Sequence, residues 1–382
     1  MDFSFTEEQS MLEDSLVKYI QAQYTLDDRK KYVTLPGGFK RENWRDFAEM
    51  GWLMLPFSEE DGGIGAGPVE LMILMEAFGK GLVLEPYLAT IILAGGLIKR
   101  GGTPAQKETL LPELLEGRLI MAFAYAEKQS RFNLCDVSTR AEPTPDGYRI
   151  TGQKIVVVHG NIADKFILSA RTSGETRDRE GTSLFMVDAD APGLQRHNYP
   201  TVDGLMASEI LLEDVLVGPE CLVGELGQGI GIIEPVIDEA ILAVCAEALG
   251  AMEILYKTTL EYLKDRVQFD QPLRKFQALQ HRMVDMFVEY EQTKSLLYLA
   301  VAKMEEGAAD TSKWISALKV KVGKTGRFIS QQAVQLHGGM GMTDELNVGH
   351  YFKRLMVIET LFGNTDYHLQ RFIACDRKGT NE

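Results

Sequence analysis

The sequence predicts an α+β multidomain fold: an N-terminal helical domain over residues 1–118, a central antiparallel β-barrel over 119–227 and a C-terminal four-helix bundle over 228–382. Three features indicate this fold. The first third of the chain has apolar residues at helical spacing, the middle has short runs of alternating or β-branched residues, and the last part has long amphipathic segments. A length of 382 residues is large for one hydrophobic core and favours two or three domains.

A helix start signal opens the N-terminal third. Thr6 and Gln9 have the spacing of a capping box, in which each side chain bonds the backbone N–H of the other residue. The apolar residues that follow at helical spacing are Met11, Leu12, Leu16 and Ile20. Further helices are predicted at Arg41–Met50, Val69–Phe78, Leu88–Lys99 and Pro104–Leu115. Pro56 and the Gly62-Gly63 pair interrupt the helical pattern and predict a loop.

The composition changes at about Leu119. From there to Val217 the chain contains short apolar or alternating runs separated by Gly, Pro, Asn and Asp, which is typical of strands in a small antiparallel sheet or barrel. These runs are LIMAFAYAE, YRITGQKIVVVHG, KFILSART, TSLFMVDAD and ASEILLEDVLV. After Gly227 the helical period returns, with an apolar stripe over 233–252 and long amphipathic segments at about 275–306, 309–336 and 344–376.

The overall composition excludes several classes of protein. A formal net charge of −15 argues against nucleic-acid binding, which requires a basic surface to neutralise phosphates. No run of about 18 uncharged apolar residues could span a membrane, and no secretory signal is expected, because the N-terminus lacks the basic and apolar segments of one. The 4 cysteines are scattered without a CxxC pair, and no two histidines have metal-ligand spacing. We therefore expect reduced thiols, no metal and a cytoplasmic location.

Two segments carry the candidate chemistry: RVQFDQPLRKFQALQH at 266–281 and QLHGGMG at 335–341. Taken alone, Arg266 and Pro272 could mark only the end of a helix, because a cation favours the last turn and proline blocks continuation. The paired glycines could likewise form only a helix C-cap and a loop. The two segments together, each beside a long amphipathic stretch, are more specific than either one.

Together these segments resemble the acyl-CoA dehydrogenase family, whose motifs R-x-x-F-x-x-P, FQALQH and Q-x-x-G-G-x-G they match. The resemblance covers nearly the whole chain and implies the family's fold and its cofactor, FAD. It also implies that Arg266 and Phe269 bind the pyrophosphate and the adenine side of an FAD held mainly by a neighbouring subunit. Gln335, Gly338 and Gly339 would line the same FAD. The physics suits these roles, because a guanidinium binds phosphate oxygens and stacks on flat rings, and glycine lets the backbone approach a diphosphate.

The positions that resemble the family's flavin-ring contacts have lost their side-chain chemistry. Family members usually carry a threonine before Glu127 and a serine a few residues later, whereas this chain has Ala126 and the segment Lys128–Phe132. A Trp-x-Thr motif is replaced by Val156 and Val158. Alanine and valine offer no hydroxyl to tune the flavin. We therefore expect that the barrel of this chain does not hold a flavin ring tightly.

The family's catalytic base is also missing from its expected place. Dehydrogenation needs a carboxylate that removes the proton α to the thioester while the β-hydride passes to flavin. The family keeps this glutamate in a Tyr-Glu-Gly-Thr segment, where this chain reads LFGNTDYHLQRF and places Gly363 or Asn364. Two other acids are candidates: Asp366, and Glu239, one residue from Ala240, where some members keep the base on a helix. Simpler roles are an N-cap for Asp366 and a solvent-facing helix position for Glu239.

The kept nucleotide-end residues and the lost ring and base contacts lead to one hypothesis. The chain resembles the small subunit of heteromeric acyl-CoA dehydrogenases of the pimeloyl-CoA and steroid side-chain type, in an α2β2 assembly whose sister subunit supplies the base. The resemblance also implies an acyl-CoA substrate and an electron-transfer flavoprotein as acceptor. Three alternatives stay open: a self-sufficient homotetramer with Glu239 or Asp366 as base, a non-catalytic structural or CoA-binding subunit, and a related-fold oxidase or monooxygenase.

Overall fold

The computed structural model of the protein describes residues 5–379, which form two compact units. The sheet unit consists of Tyr32–Ala66 and Leu84–Ala240, and the helical unit consists of the chain up to Lys31, Gly67–Val83 and the chain from Ile241 onward. Along the chain, helices come first, then a sheet, then helices again. This order confirms the predicted three-part architecture.

Six α-helices precede the sheet among the described residues. They are α1 (Glu7–Gln23), α2 (Leu26–Val33), α3 (Arg41–Glu49), α4 (Pro68–Gly81), α5 (Gly96–Gly101) and α6 (Pro104–Leu115). The predicted capping box is present, since the N–H of Gln9 donates to Thr6 Oγ1 at 3.2 Å and the N–H of Thr6 donates to Gln9 Oε1 at 3.0 Å. The α-helix predicted over 88–99 is instead a π-helical stretch, Leu88–Gly95, followed by α5. Apolar spacing does not distinguish the two geometries over so short a stretch.

Eight strands form the sheet of the sheet unit. They are β1 (Met121–Ala124), β2 (Arg140–Thr144), β3 (Gly147–Val158), β4 (Lys165–Arg171), β5 (Thr182–Asp188), β6 (Leu194–Pro200), β7 (Met206–Val217) and β8 (Leu222–Val223). Paired strands follow the order β6-β7-β3-β2-β4-β5-β8, and β1 pairs with β4. The inward-facing apolar side chains form one buried cluster that includes Ile150, Phe166, Phe185 and Ile210. The five predicted runs correspond to β1, β3, β4, β5 and β7, whereas β2, β6 and β8 were not predicted.

The predicted closed antiparallel barrel is wrong in two respects. The sheet is open, since the path of paired strands ends at β6 on one side and at β8 on the other, and no ladder joins these two strands within residues 5–379. The sheet is also mixed, since β1 runs parallel to β4. Alternating side chains show which face of a strand is buried, but closure depends on the tilt and stagger of all the strands, which a local pattern does not contain.

Five α-helices follow the sheet in the described part of the chain, where a four-helix bundle was predicted. They are α7 (Gly229–Asp265), α8 (Gln277–Glu305), α9 (Thr311–His337), α10 (Val348–Thr360) and α11 (Thr365–Gly379). A ribbon of two short antiparallel strands, β9 (Val267–Gln268) and β10 (Gln271–Pro272), joins α7 to α8. The segment expected as one helix over 344–376 is broken at 361–364, because Gly363 has a φ of +119°, which helical backbone does not allow. Helix α9 packs against α8, α10 and α11.

Helices α4 and α7 approach each other closely in the helical unit, because each presents a glycine to the backbone of the other. A Cβ atom on Gly79 would lie 1.9 Å from the carbonyl oxygen of Glu247, and one on Gly250 would lie 2.0 Å from that of Glu76. Beside this crossing, Glu247 forms a two-point ion pair with Arg354 of α10, at 2.5 and 2.7 Å. The crossing therefore has no space for a side chain at either glycine.

No helix within residues 5–379 is both long and apolar enough to cross a membrane. No group of three or more His, Cys, Asp or Glu side chains in this part of the chain could hold a metal ion. The cysteines Cys135, Cys221, Cys245 and Cys375 are free thiols. Cys245 is fully buried, and burial raises the pKa of its thiol to about 12, which keeps it protonated and unreactive.

Candidate functional site

The RVQF segment forms the ribbon that follows α7. The N–H of Arg266 donates to the carbonyl oxygen of Tyr262 at 2.9 Å, so Arg266 closes the last turn of the helix. Strands β9 and β10 then pair, and the two residues between them, Phe269 and Asp270, have left-handed φ angles of +54° and +61°. Two such residues at the tip are typical of a type I′ hairpin turn. Arg266 therefore ends a helix and also lies at the base of a hairpin.

The ribbon presents both of its predicted ligand-binding side chains to the surface of the chain. Phe269 is 82% exposed, and its ring meets that of Phe276 edge-on, with 6.1 Å between the centroids. Arg266 is exposed as well. A large aromatic residue at a left-handed hairpin tip is unfavourable for an isolated chain, because it gains no burial and strains its backbone. An aromatic ring and a cation are thus available here to a ligand or a partner.

The glycine cluster begins where α9 ends. Gly338 has a φ of +62° and a ψ of −143°, a backbone region that favours glycine. A Cβ atom on Gly339 would meet no atom within 4 Å, whereas one on Gly341 would lie 2.9 Å from the carbonyl oxygen of Val334. The chain's own packing therefore requires glycine at 341 but not at 339. The backbone at Gly339 is therefore accessible to a ligand or to a partner chain.

The ribbon and the glycine cluster lie at the same end of the helical unit. The ring of Tyr262 stacks on that of His337, with centroids 4.3 Å apart and planes at 29°. Arg266 follows Tyr262 by about one helical turn, and Gly338 directly follows His337. Tyr262, His337 and Met340 help to line a cavity of about 520 Å³ between these two helix ends. The fold therefore brings together two motifs that are far apart in the sequence.

His337 is a fixed part of this junction, and Gln335 is not. His337 is buried, its Nδ1 lies 2.8 Å from the carbonyl oxygen of Ala333, and burial lowers the pKa of its imidazole. A neutral ring that stacks on Tyr262 has a structural role here. Gln335 is exposed on the last turn of α9, so its amide is available to a ligand.

These groups fit the diphosphate end of a dinucleotide. An exposed guanidinium at Arg266, uncovered backbone at Gly338 and Gly339 and a flat ring at Phe269 can bind phosphate oxygens and cover an adjoining planar group. Gln335 adds an amide that both donates and accepts hydrogen bonds. The structure places these predicted residues at one end of one unit, and their binding roles stay predictions.

The positions that are predicted to have lost flavin-ring contacts lie near one another in the sheet unit. The N–H of Ile155 donates to the carbonyl oxygen of Ala126 at 2.8 Å, which places Ala126 beside the irregularity in β3 between Lys154 and Val157. Val156 lies at this irregularity with a φ of +51° and is 45% exposed. A positive φ is uncommon for a β-branched residue and indicates local strain. The C-terminal part of β3 beside Ala126 is therefore apolar and partly uncovered.

Sequence reasoning missed a buried ion pair next to the same positions. Lys154 Nζ donates to Glu127 Oε1 at 2.6 Å and to Ser169 Oγ at 3.1 Å. The N–H groups of Ser138 and Thr139 also donate to the Glu127 carboxylate, at 2.7 and 3.1 Å. Burial lowers the pKa of Lys154 to about 8. The available signal was Glu127 at the end of one apolar run and Lys154 within another, because a charge is rarely buried without a partner.

Glu239 is engaged by a cation. Its carboxylate accepts a hydrogen bond from the guanidinium of Arg100, at the end of α5 in the sheet unit. Ala240, which resembles the position of the family's alternative base, is fully buried and carries no acid. Successive helix residues point about 100° apart, so Glu239 does not take the place of Ala240. The base role of Glu239 stays a prediction.

The turn at 361–364 holds no acid, and Asp366 lies beyond it. The N–H of Tyr367 donates to Asn364 Oδ1 at 3.0 Å, so Asn364 caps the N-terminus of α11. The N-cap role considered for Asp366 is therefore wrong. Asp366 is exposed in the first turn of α11, where a negative charge interacts favourably with the helix dipole. Whether it also acts as a base stays a prediction.

Comparison with protein families accounts for most of the chain. The models described as the N-terminal, middle and C-terminal domains of acyl-CoA dehydrogenase match residues 6–118, 122–215 and 227–374. The chain is 29% identical over 381 residues to a short-chain-specific acyl-CoA dehydrogenase of Clostridium acetobutylicum, with 96% of this chain and 97% of the relative covered. The similarity therefore extends over nearly the full length of both proteins.

Two solved structures have the same fold. The ChsE4-ChsE5 complex from Mycobacterium tuberculosis matches with a TM-score of 0.88 at 26% identity, and 98% of each chain is covered. The FAD complex of PigA matches with a TM-score of 0.91 at 26% identity, and 100% of each chain is covered.

Proposed function

Because the chain belongs to the acyl-CoA dehydrogenase family, we propose that it acts in the FAD-dependent α,β-dehydrogenation of an acyl-CoA thioester, as one subunit of an α2β2 heterotetramer. One observation carries this proposal. The ribbon with Arg266 and Phe269 and the open glycine backbone follow two helix ends that are joined by the stacked rings of Tyr262 and His337, while the turn at 361–364 holds no acid. A chain with a complete site of its own would keep both halves. The sister subunit supplies the base and the contacts to the flavin ring.

The residues of this chain act on the nucleotide end of the cofactor. When bound, FAD supplies the acceptor for the β-hydride of the substrate. Arg266 holds the diphosphate through its guanidinium, and the bare backbone at Gly338 and Gly339 allows the diphosphate a close approach. Phe269 covers the adenine side, and Gln335 bonds the adjoining sugar. All of these residues bind and orient, and none of them moves a proton.

The sheet unit supports a flavin ring held by the partner. Ala126, Val156 and Val158 present methyl groups where hydroxyls would bond the ring, and Val156 leaves part of its surface uncovered. A relative of the same fold was solved as the ChsE4-ChsE5 complex, which supports a heteromeric assembly. Each pair of sister chains would then hold one FAD.

The resemblance to heteromeric members of the family also supports a substrate class and an electron acceptor. We propose an acyl-CoA thioester of the class that heteromeric members use, namely a steroid side chain or a dicarboxylic acyl group such as pimeloyl. An electron-transfer flavoprotein is the electron acceptor that the resemblance supports. A cytoplasmic location is supported by the scattered free thiols.

Flavin stoichiometry tests the assembly. The chain is purified alone and also after co-expression with the acyl-CoA dehydrogenase gene nearest to its own, and flavin absorbance and native mass are measured. We expect little flavin on the single chain, and one FAD per pair of chains in the complex, which reduces an electron acceptor when given acyl-CoA. One FAD per chain and full turnover by the single chain would contradict the heteromer.

The position of the base is tested in the active complex. Glu239→Ala and Asp366→Ala are compared with the parent complex for the rate of flavin reduction by acyl-CoA. We expect both variants to keep the parent rate within about twofold, because loss of a true general base costs about 10²–10⁴-fold. A loss of that size at either residue would assign the base to this chain and favour the self-sufficient homotetramer.

A further inference from the structure

The turn between α10 and α11, residues 361–364, has an unusual backbone. Two consecutive residues have left-handed φ angles, +58° at Phe362 and +119° at Gly363, and both residues are buried. Left-handed backbone is unfavourable for phenylalanine and persists only where the surroundings impose it. The contacts around this turn should therefore include groups that hold it in place.

Lys319 of α9 provides the strongest such contact. Its ammonium donates to the carbonyl oxygens of Ile358 at 2.7 Å, Glu359 at 3.0 Å and Gly363 at 2.9 Å. Lys319 is 1% exposed, so its three N–H donors have these three acceptors in place of water. Two of the acceptors are at the C-terminal end of α10, where a cation is favourable. The third acceptor lies across the turn, so one side chain ties both sides of the turn together.

The α11 side of the turn is held as well. His368 is buried, and its Nε2 lies 3.0 Å from the carbonyl oxygen of Phe362. Burial, reinforced by the charge of Lys319, lowers the pKa of His368 to about 3, so the imidazole is neutral and a single N–H donates to Phe362. Glu359 Oε1 accepts hydrogen bonds from the N–H and the hydroxyl of Thr365, both at 3.2 Å.

Only glycine fits at the centre of this turn. A Cβ atom on Gly363 would lie 2.4 Å from Tyr367 Cδ1 and 2.7 Å from His368 Nε2. Both are ring atoms of side chains in the first turn of α11 that pack edge-on with centroids 5.1 Å apart, so a Cβ atom at 363 would have to displace packed aromatic rings. The φ of +119° adds a backbone penalty for any other residue.

We propose that Lys319 is a positioning residue that holds the 361–364 turn in a conformation open only to glycine at position 363. Resting on the proposed function, this inference deepens it. The turn where the family places its base is then a fixed, base-free part of this subunit, and a carboxylate cannot be regained there by one substitution. This turn therefore supplies no dehydrogenation base, which supports a base contributed by another chain.

A double-mutant cycle on the full chain tests the positioning role. Lys319→Met, Gly363→Ala and the double variant are compared with the parent by thermal unfolding. Gly363→Ala should lower Tm by at least roughly 5 °C. In a domain of this size a Tm shift of about 2–4 °C corresponds to about 1 kcal/mol, and the overlap at 363 should cost more than that. In the Lys319→Met background this loss should be no more than about half as large, because the released turn can make room for the methyl group.

Two matched controls separate this effect from general destabilisation. Gly307 has a φ of +60° and no atom within 4 Å of an added Cβ, so Gly307→Ala measures the backbone penalty without the steric one and should cost less than Gly363→Ala. Lys321 lies on the same helix and pairs with Glu289 at 2.7 Å, away from the turn. Lys321→Met and Gly363→Ala should therefore be additive.

Several outcomes would overturn the proposal. Additive losses for Lys319→Met and Gly363→Ala would show that Lys319 does not impose the turn. Equal losses for Gly363→Ala and Gly307→Ala would show that the turn has room for a side chain. If Lys319→Met does not fold, Lys319→Gln, whose shorter side chain has two N–H donors for the three carbonyls, takes its place in the cycle, with a reduction in the same direction. The cycle needs neither FAD nor a partner, so its failure is distinct from failure of the heteromer.

Separately, a Gly363→Glu chain that oxidised acyl-CoA alone would contradict the closed turn.

Discussion

Some residues of the helical unit are required by the packing of the chain itself, whereas others are not required by it. Gly250 and Gly341 would collide with backbone if they carried a Cβ, whereas Gly339 would not. Phe269 likewise gains almost no burial within the chain. Residues of the second kind have no explanation in the packing of the described chain. The proposed contact with the nucleotide end of FAD explains them together.

Arg266 is the residue whose replacement should affect FAD most directly. We expect Arg266→Gln to weaken FAD retention by the heteromeric complex by about 10–100-fold, because a hydrogen bond to a charged group contributes about 1.5–3 kcal/mol. FAD dissociation followed by flavin fluorescence measures this loss. Lys275→Gln is the matched control, since Lys275 is an exposed cation nine positions further along the chain and has no predicted FAD contact. Equal effects of both variants would mean that Arg266 affects FAD retention only through its positive charge.

Lys319 should make stability depend on pH in a defined window. Burial lowers the pKa of its ammonium from 10.5 to about 8, with Cys245, Glu359 and His368 as the facing titratable groups. Between these two values the unfolded chain binds the proton and the folded chain has released it. The free energy of unfolding therefore gains a contribution that rises with pH, by at most about 1.4 kcal/mol per pH unit.

The comparison with Lys319→Met isolates this contribution. Urea unfolding of the parent and of the variant is measured at several pH values from about 8 to 10. We expect the stability of the parent relative to the variant to increase across the window. A constant difference would mean that Lys319 keeps an ordinary pKa in the folded chain, and a falling difference would mean that folding raises its pKa.

At the scale of secondary-structure elements, the crossing of α4 and α7 provides a prediction with an internal control. Gly250→Ala should destabilise the protein by about 1–3 kcal/mol, because the methyl group would overlap the carbonyl oxygen of Glu76. Gly231→Ala in the same helix should stabilise it by about 0.5–1 kcal/mol, since Gly231 is exposed and has no atom within 4 Å of an added Cβ. Chemical denaturation measures both changes, and the same sign for both would contradict the close crossing.

The elements also show why local patterns predict some features and not others. The capping box at Thr6 was predictable because all of its atoms lie within one helical turn. The break at 361–364 was not, because apolar periodicity continues from α10 into α11 across it. Lys319 and Gly363 are 44 residues apart, and their contact exists only after three helices have packed. The same reason hid the pairing of Glu127 with Lys154, 27 residues away.

At the scale of the whole molecule, the proposed assembly predicts how FAD affects stability. Added FAD should raise the Tm of the flavin-depleted complex by roughly 5 °C at about 100 times its Kd, because a ligand that binds only the folded form stabilises it by about 2.7 kcal/mol there. The same addition to the single chain should shift its Tm by less than about 1 °C. Thermal unfolding of both samples provides the check. An equal rise in the single chain would mean that this subunit binds FAD without a sister.

The order of amino acids alone was sufficient to predict helices, then strands, then helices, and the two motifs that resemble a family of flavoenzymes. Hydrophobic periodicity and turn chemistry are local properties, and motifs are written in consecutive residues. Only the folded chain decided that the sheet is open, that Arg266 and Gly338 lie at one end of one unit, and that glycine alone fits at 363. Each of these features depends on contacts between groups that are distant in the sequence. Such contacts form only when the chain packs, and a local sequence pattern does not contain them.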